Sequence, residues 1–224
     1  IWLIPRQFTL SNIQSVLSSR YIKNAFAVSV LRVIAGTGLG LFVQFCAAYV
    51  LNRKNVPGKK FMLMFLTIPM FLNGGVIANY ILYARIDMLN TFWVYIIPTA
   101  FSFYNVIIIR TYLNTIPESL IESATLDGAG EMRTLLRIVV PLSMPILATI
   151  ALWLAVGHWN DYSTTLYYAS KKSNIYTLQY ILMQMVKDGE RVQKLIQEAA
   201  QNGQSNIKVT TTPEAQKASQ IIVT

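Results

Sequence analysis

The stretch Glu122-Ser123-Ala124-Thr125-Leu126-Asp127-Gly128, continuing through Ile138 to Pro141, decides the reading of this chain. It is polar, broken by glycine, and set between two long apolar runs. Just upstream, Thr115 and Glu118 have the spacing of a capping box, and Pro117 stands where a first helical turn tolerates a missing N–H, so a short helix is expected to begin there. Ile121, Ala124, Gly128, Met132 and Leu135 recur at helical steps and line one face, with Gly128 offering a kink or a close backbone approach. Glu118, Glu122, Asp127 and Glu131 alternate with Arg133 and Arg137, so the opposite side belongs in water or against a polar partner. Such a segment cannot span a bilayer. It suits docking into a groove on another protein.

The rest of the chain prefers lipid. Hydrophobic residues make up 54% of its 224 residues and charged ones 13%, against roughly 25% charged in a soluble domain. Four apolar stretches, Ala25 to Val50, Phe61 to Tyr83, Thr91 to Ile109 and Ile138 to Ala169, each approach or exceed the ~20 helical residues that cross a hydrocarbon core. The expected fold class is therefore all-α, a polytopic transmembrane helical bundle. Gly36, Thr37, Gly38 and Gly40 predict close helix packing in the first stretch. Pro69 ahead of Asn73-Gly74-Gly75, then Pro98, Pro141 and Pro145, predict kinks in the others. Asn73 and Asn79 place amides in lipid, where they line a pathway or serve packing.

Charge sets the orientation, because short loops rich in lysine and arginine stay in the cytoplasm. The loop Leu51 to Lys60 carries Arg53, Lys54, Lys59 and Lys60 and no acid, so it is expected inside. Arg85 and Asp87 balance in the loop Ala84 to Asn90, which falls outside. The third stretch then returns the chain to the cytoplasm before Thr115. The expected organisation is an external segment 1–24, a transmembrane core 25–169 with a cytoplasmic segment 115–140, and an external segment 170–224. Arg6, Arg20 and Lys23 run against this orientation. The chain opens on Ile1-Trp2-Leu3-Ile4 without a methionine and reads as a fragment, with Ser219 to Thr224 approaching a further span. In the last segment, Ile175 to Val186 is apolar enough to lie on a membrane surface or a partner, and a short helix with loops is expected.

Other chemistries find little support. Val56-Pro57-Gly58-Lys59-Lys60 lacks both the upstream glycine and the hydroxyl residue of a phosphate-cradling loop, so no ATP hydrolysis is expected in this chain. Cys46 is the only cysteine and His158 the only histidine, which leaves neither a disulfide nor a metal site. The net charge of +9 follows from membrane topology rather than from nucleic-acid binding. Arg32, inside the first span, must snorkel, pair or face water, and near the outer third it is expected to snorkel or to meet a partner subunit. Trp153, Trp159, Tyr162, Tyr167 and Tyr168 gather near the outer end of the fourth span, as an interfacial belt or as faces that stack on sugar rings. Asp161 orients hydroxyls or makes a helix-end hydrogen bond.

The pattern Glu122-Ser123-Ala124, three residues, Gly128, nine residues, Ile138, two residues, Pro141 resembles the signature loop of ABC importer permeases. That family writes it Glu-Ala-Ala, three residues, Gly, nine residues, Ile, any residue, Leu-Pro; Ser123 and Val140 depart from it. The resemblance implies a cytoplasmic coupling helix fitting a cleft on an ATPase subunit, through Glu122, Ala124, Gly128, Ile138 and Pro141, with Asp127 on the same segment. Trp159-Asn160-Asp161 followed by Tyr176-Thr177-Leu178 resembles the sugar importers of that family, and the long stretch after Leu178 resembles the branch for larger saccharides such as alginate. These likenesses imply a substrate pathway involving Asn73, Asn79, Tyr83, Trp153, Trp159, Asn160 and Asp161. They also imply a bacterial inner-membrane, multi-pass location, a second permease as heterodimer partner, two ATPase subunits holding ATP and Mg, and an external solute-binding protein. The substrate is then an oligosaccharide or polysaccharide, alginate-like and acidic. The alternative, a secondary transporter of a small solute or ion, calls for paired intramembrane carboxylates or an internal repeat.

Overall fold

A computed structural model describes residues 20–53, 56–72 and 74–201. Asn73, expected on the pathway, lies outside the described residues, as do 1–19 and 202–224. Among the described residues all regular structure is helical.

Helix α1 (Arg20–Asn52) is one unbroken rod, roughly 50 Å long at 1.5 Å per residue. Its buried stripe, from Ser29 through Arg32, Gly36, Gly40 and Gln44 to Ala48, is small or polar. Its exposed face is apolar, with Ile34 66% and Phe42 68% exposed. That inversion of the soluble pattern is what lipid selects: close backbone approach inside, hydrocarbon outside. α1 packs along two further helices, α4 (Phe103–Leu113) and α7 (Met144–Asn160). The small residues divide the work. A Cβ on Gly36 would meet the His158 ring and one on Gly40 would touch Leu154, whereas Gly38 has nothing near it.

The second apolar stretch folds as two helices, α2 (Lys59–Phe71) and α3 (Gly75–Arg85), rather than one continuous helix. Pro69 lies in the last turn of α2, Leu72 is extended, and Gly75 takes a positive φ of 76°. Neither helix buries a residue, and Phe71, Leu72 and Ile77 are each at least 70% exposed. The third stretch is not one helix either. A 3-10 turn, Phe92–Tyr95, and a loop carrying Pro98 precede α4. It nevertheless travels the length of α1, because Tyr95 lies at Arg32, Ala100 accepts from Gln44, and Arg110 reaches Leu51 O. That interval of α1 is roughly 28 Å, about the thickness of a hydrocarbon core.

Between α4 and α7 the chain forms α5 (Glu118–Leu126), α6 (Glu131–Thr134), a π-helical turn Leu135–Val139 and a short helical segment Val140–Leu142. The axis bends by 74° at Ser143 before α7. Pro141 and Pro145 lack the N–H groups that would continue the ladder. The expected fourth span therefore runs from Met144 to Asn160, with Asp161 and Tyr162 separating it from α8 (Ser163–Tyr168). α9 (Leu178–Gln201) returns against α1 and α8. One described helix, α1, is long and apolar enough to cross a membrane, and the bent pairs α2–α3 and Glu131–Asn160 qualify by length and composition as broken spans or re-entrant loops.

The bundle thus has two ends. Arg53, Arg110 and α5 to Leu142 gather at one; the loop 86–91, the α7–α8 junction and the start of α9 gather at the other, where Asn90 N–H donates to Tyr168 O at 2.9 Å.

Candidate functional site

At the Arg53 end, Thr115 Oγ1 donates to Tyr112 O at 2.8 Å and so closes α4. The expected capping box does not form with Thr115 in that position. Instead α5 begins at Glu118 with Pro117 at its N-cap, and Glu118 lies at the positive end of the helix dipole. α5 stops in a Schellman turn: Gly128 N–H donates to Thr125 O at 3.0 Å and Ala129 N–H to Ala124 O at 2.9 Å. Gly128 holds the left-handed conformation, φ 79°, and an added Cβ would meet nothing. The glycine is therefore a helix stop, neither a kink nor a close approach within this chain, and it divides the expected continuous face between α5 and α6.

The division leaves a ridge. Ala124 is buried and Ile121 packs on the core, while Leu126 is 88%, Met132 65% and Leu136 59% exposed. Glu122, Asp127, Gly128 and Pro141 are exposed as well, and Ile138 is half-buried. An ion pair between Arg53 and Glu131 ties the segment to the end of α1. Three large apolar side chains are thus exposed among the charged residues of this segment.

At the other end, Arg32 is 1% exposed and does not snorkel. It pairs with the Asp161 carboxylate, donates from Nη1 to Asp161 O at 2.8 Å, and lies 4.6 Å over the Tyr95 ring. Asp161 also caps α8, accepting from Thr164 N–H at 3.1 Å and Ser163 Oγ at 2.7 Å. Tyr95 donates to Ile175 O at 3.0 Å, so its hydroxyl accepts from Thr165, which in turn accepts from Thr177. Leu178 N–H donates to Ser29 Oγ at 2.8 Å. Midway along α1, Gln44 accepts from Asn105 and donates to Ala100 O, a buried amide pair that satisfies itself.

Residues 24–190 match the family described as the binding-protein-dependent transport system inner membrane component. The chain belongs to that family. Among its relatives, the polygalacturonan/rhamnogalacturonan transport system permease protein YtcP of Bacillus subtilis (strain 168) is 33% identical over 184 residues, covering 82% of this chain and 64% of its own length. Protein LplC of the same organism is 35% identical over 184 residues, 82% of this chain and 62% of its own. The chain thus spans less than two thirds of either relative. A crystal structure of a bacterial ABC transporter involved in the import of the acidic polysaccharide alginate superposes on all of this chain and 77% of the matched one, with TM-score 0.84 at 22% identity, and so shares its fold.

In this inner-membrane component the expected pathway residues separate into distinct environments. Asn79 is half-buried on α3, and Tyr83 meets the Tyr168 ring edge-on at 5.0 Å. Trp153 is half exposed on α7. Trp159 packs with Ile22 and Leu178 and edges against Phe26, and Asn160 accepts from Gln179. Asp161 is held by Arg32 and the α8 cap. A cleft of about 470 Å³ between α8 and α9 adds Tyr180, Gln184, Lys187, Asp188 and Arg191, none of them anticipated from sequence. Ser29, Gln44 and Asn105 were missed too, although Ser29, Arg32, Gly36, Gly40 and Gln44 repeat at steps of three and four along α1.

Proposed function

We propose that this chain is the permease subunit of an ATP-driven importer of oligosaccharides, including acidic ones, working with a second permease, two ATPase subunits and an external solute-binding protein. The observation that carries the reading is the Leu126, Met132 and Leu136 ridge, held beside Arg53 at the same end as the basic loop 51–60. Both features belong in the cytoplasm by charge, and the ridge supplies the apolar contact a motor subunit needs. Glu122, Ala124, Asp127, Gly128, Ile138 and Pro141 form or support this coupling surface. The segment 115–140 is then cytoplasmic, 25–169 is the membrane core, and 1–24 and 170–224 are external.

A carbohydrate substrate is supported by the names of the relatives, and an acidic one by the excess of Lys187 and Arg191 over Asp188 in the lining of the α8–α9 cleft. Asn79, Tyr83 and Trp153 remain the pathway candidates with free side-chain surface. Replacing Leu126 and Met132 together by aspartate is expected to release the ATPase subunits from the purified complex by tenfold or more, with the permease still inserted. Uptake of labelled oligogalacturonate against maltotriose then reports the charge preference. Normal ATPase retention in the double variant would overturn the assignment of the coupling face.

A further inference from the structure

We propose that α1 and α7 work as one two-helix lever, fastened at the end away from the coupling segment by the buried Arg32–Asp161 pair. The inference rests on the permease reading above and assigns Arg32 and Asp161 as positioning residues for transport.

The Arg32–Asp161 and Arg53–Glu131 ion pairs are both made by arginines of α1 or its immediate end. Arg53 reaches Glu131 in the coupling segment, and Arg32 reaches Asp161 where α7 ends. They are separated along α1 by roughly 32 Å. The Arg53 pair is exposed, 32% and 78%, and is a weak joint. The Arg32 pair is shielded at 1% and 23%, so removing either member strands a charge away from water. Between the two joints the helices lie in close contact, at Gly36 against His158 and Gly40 against Leu154.

The same fastening gathers three further elements. Tyr95 brings the 92–95 turn under the Arg32 guanidinium, Asp161 caps α8, and the Thr177 to Thr165 to Tyr95 hydroxyl chain ends at Ile175 O. Ser29, less than one turn before Arg32, holds Leu178 N–H. Trp159-Asn160-Asp161 and Tyr176-Thr177-Leu178 are thereby tied to one helix by a single network. Their work is to join the lever to the far end of the bundle rather than to hold a sugar. α2 and α3 bury no residue within this chain and meet the fastened block through Leu63 and Leu66 at the core and Tyr83 against Tyr168.

The test uses the assembled importer with its ATPase subunits and binding protein. Arg32→Met strands the Asp161 charge and can fail to fold, so Arg32→Met/Asp161→Asn is the working variant: no charge is left unpaired, and the amide oxygen introduced by Asp161→Asn still accepts at the α8 cap. It is expected to assemble at the wild-type level and hydrolyse ATP within twofold of wild type. Its maximal oligogalacturonate uptake should fall at least tenfold with KM within twofold. Arg32→Lys, which keeps the charge, should recover a substantial part of that rate. A cysteine placed at Ala169, buried beside Tyr95, in a Cys46→Ala background should be shielded from a maleimide in the parent and react in the double variant. Wild-type uptake by the assembled double variant, or unchanged shielding at position 169, overturns the lever. A parent complex that hydrolyses ATP but carries no saccharide counts against the substrate reading alone, and the shielding experiment still decides the fastening.

Discussion

Gly36 shows how much one missing methyl group accomplishes. An alanine there would set its Cβ 2.3 Å from His158 Nε2, and His158 is buried, 5% exposed. Gly38, two residues on, faces nothing within 4 Å. Gly36→Ala is therefore expected to destabilise the assembled protein by about 1–3 kcal/mol through overpacking. Gly38→Ala should be neutral or slightly stabilising, because alanine has the better helix propensity. Thermal unfolding of the two variants in detergent checks this; equal melting temperatures would mean that α1 and α7 do not touch at Gly36. The glycine cluster was readable in sequence as a packing signal, but which glycine packs was not, since that depends on the facing residue of a helix more than a hundred positions away. Arg32 pairs within the chain instead of snorkelling, and its local sequence does not show with what. Its partner, Asp161, has no local relation to it.

Among the elements, α5 gains its identity from where it stops. Gly128 at φ 79° closes the Schellman turn in open space, so within this chain the position demands a backbone conformation and nothing of size. Asparagine tolerates the left-handed region and valine does not. Gly128→Asn is expected to keep most ATPase binding, while Gly128→Val loses it as the α5–α6 turn is strained by about 1–2 kcal/mol. Co-purification of the ATPase subunits separates the outcomes. Loss in both variants would mean that a partner approaches the glycine closely and that size, not conformation, is what the position forbids. The periodicity that predicted one face from Ile121 to Leu135 was real, but a helix stop divides it between two helices. A strict 3.6 period cannot distinguish these cases unless the left-handed residue is recognised. The apolar stretches mislead in the same way: Thr91 to Ile109 has the composition of a span and folds as a 3-10 turn, a proline loop and most of an 11-residue helix.

For the molecule as a whole, the two-ended arrangement makes a prediction about sides. The loop around Asp87 and the turn at Asp127 lie at opposite ends of the bundle. In a Cys46→Ala background, a cysteine at Asp87 should react with an impermeant maleimide in intact cells. One at Asp127 should react only after the membrane is opened. Labelling of the Asp127 position from outside would invert the orientation and separate the coupling face from any cytoplasmic motor. Both sites are exposed, so the readout reports sidedness rather than burial.

Sequence alone determined the class of molecule and marked the segment proposed above for docking. Hydrophobic content and charge asymmetry are sums over residues, and the Glu122 to Pro141 pattern is local in the chain; neither needs a fold to be read. Tertiary structure alone decided which polar groups inside the membrane find each other. Arg32 with Asp161, Gln44 with Asn105 and Tyr95 with Thr165 are pairs far apart in sequence, and they exist because a buried polar group in lipid must take whatever partner the packing brings within reach.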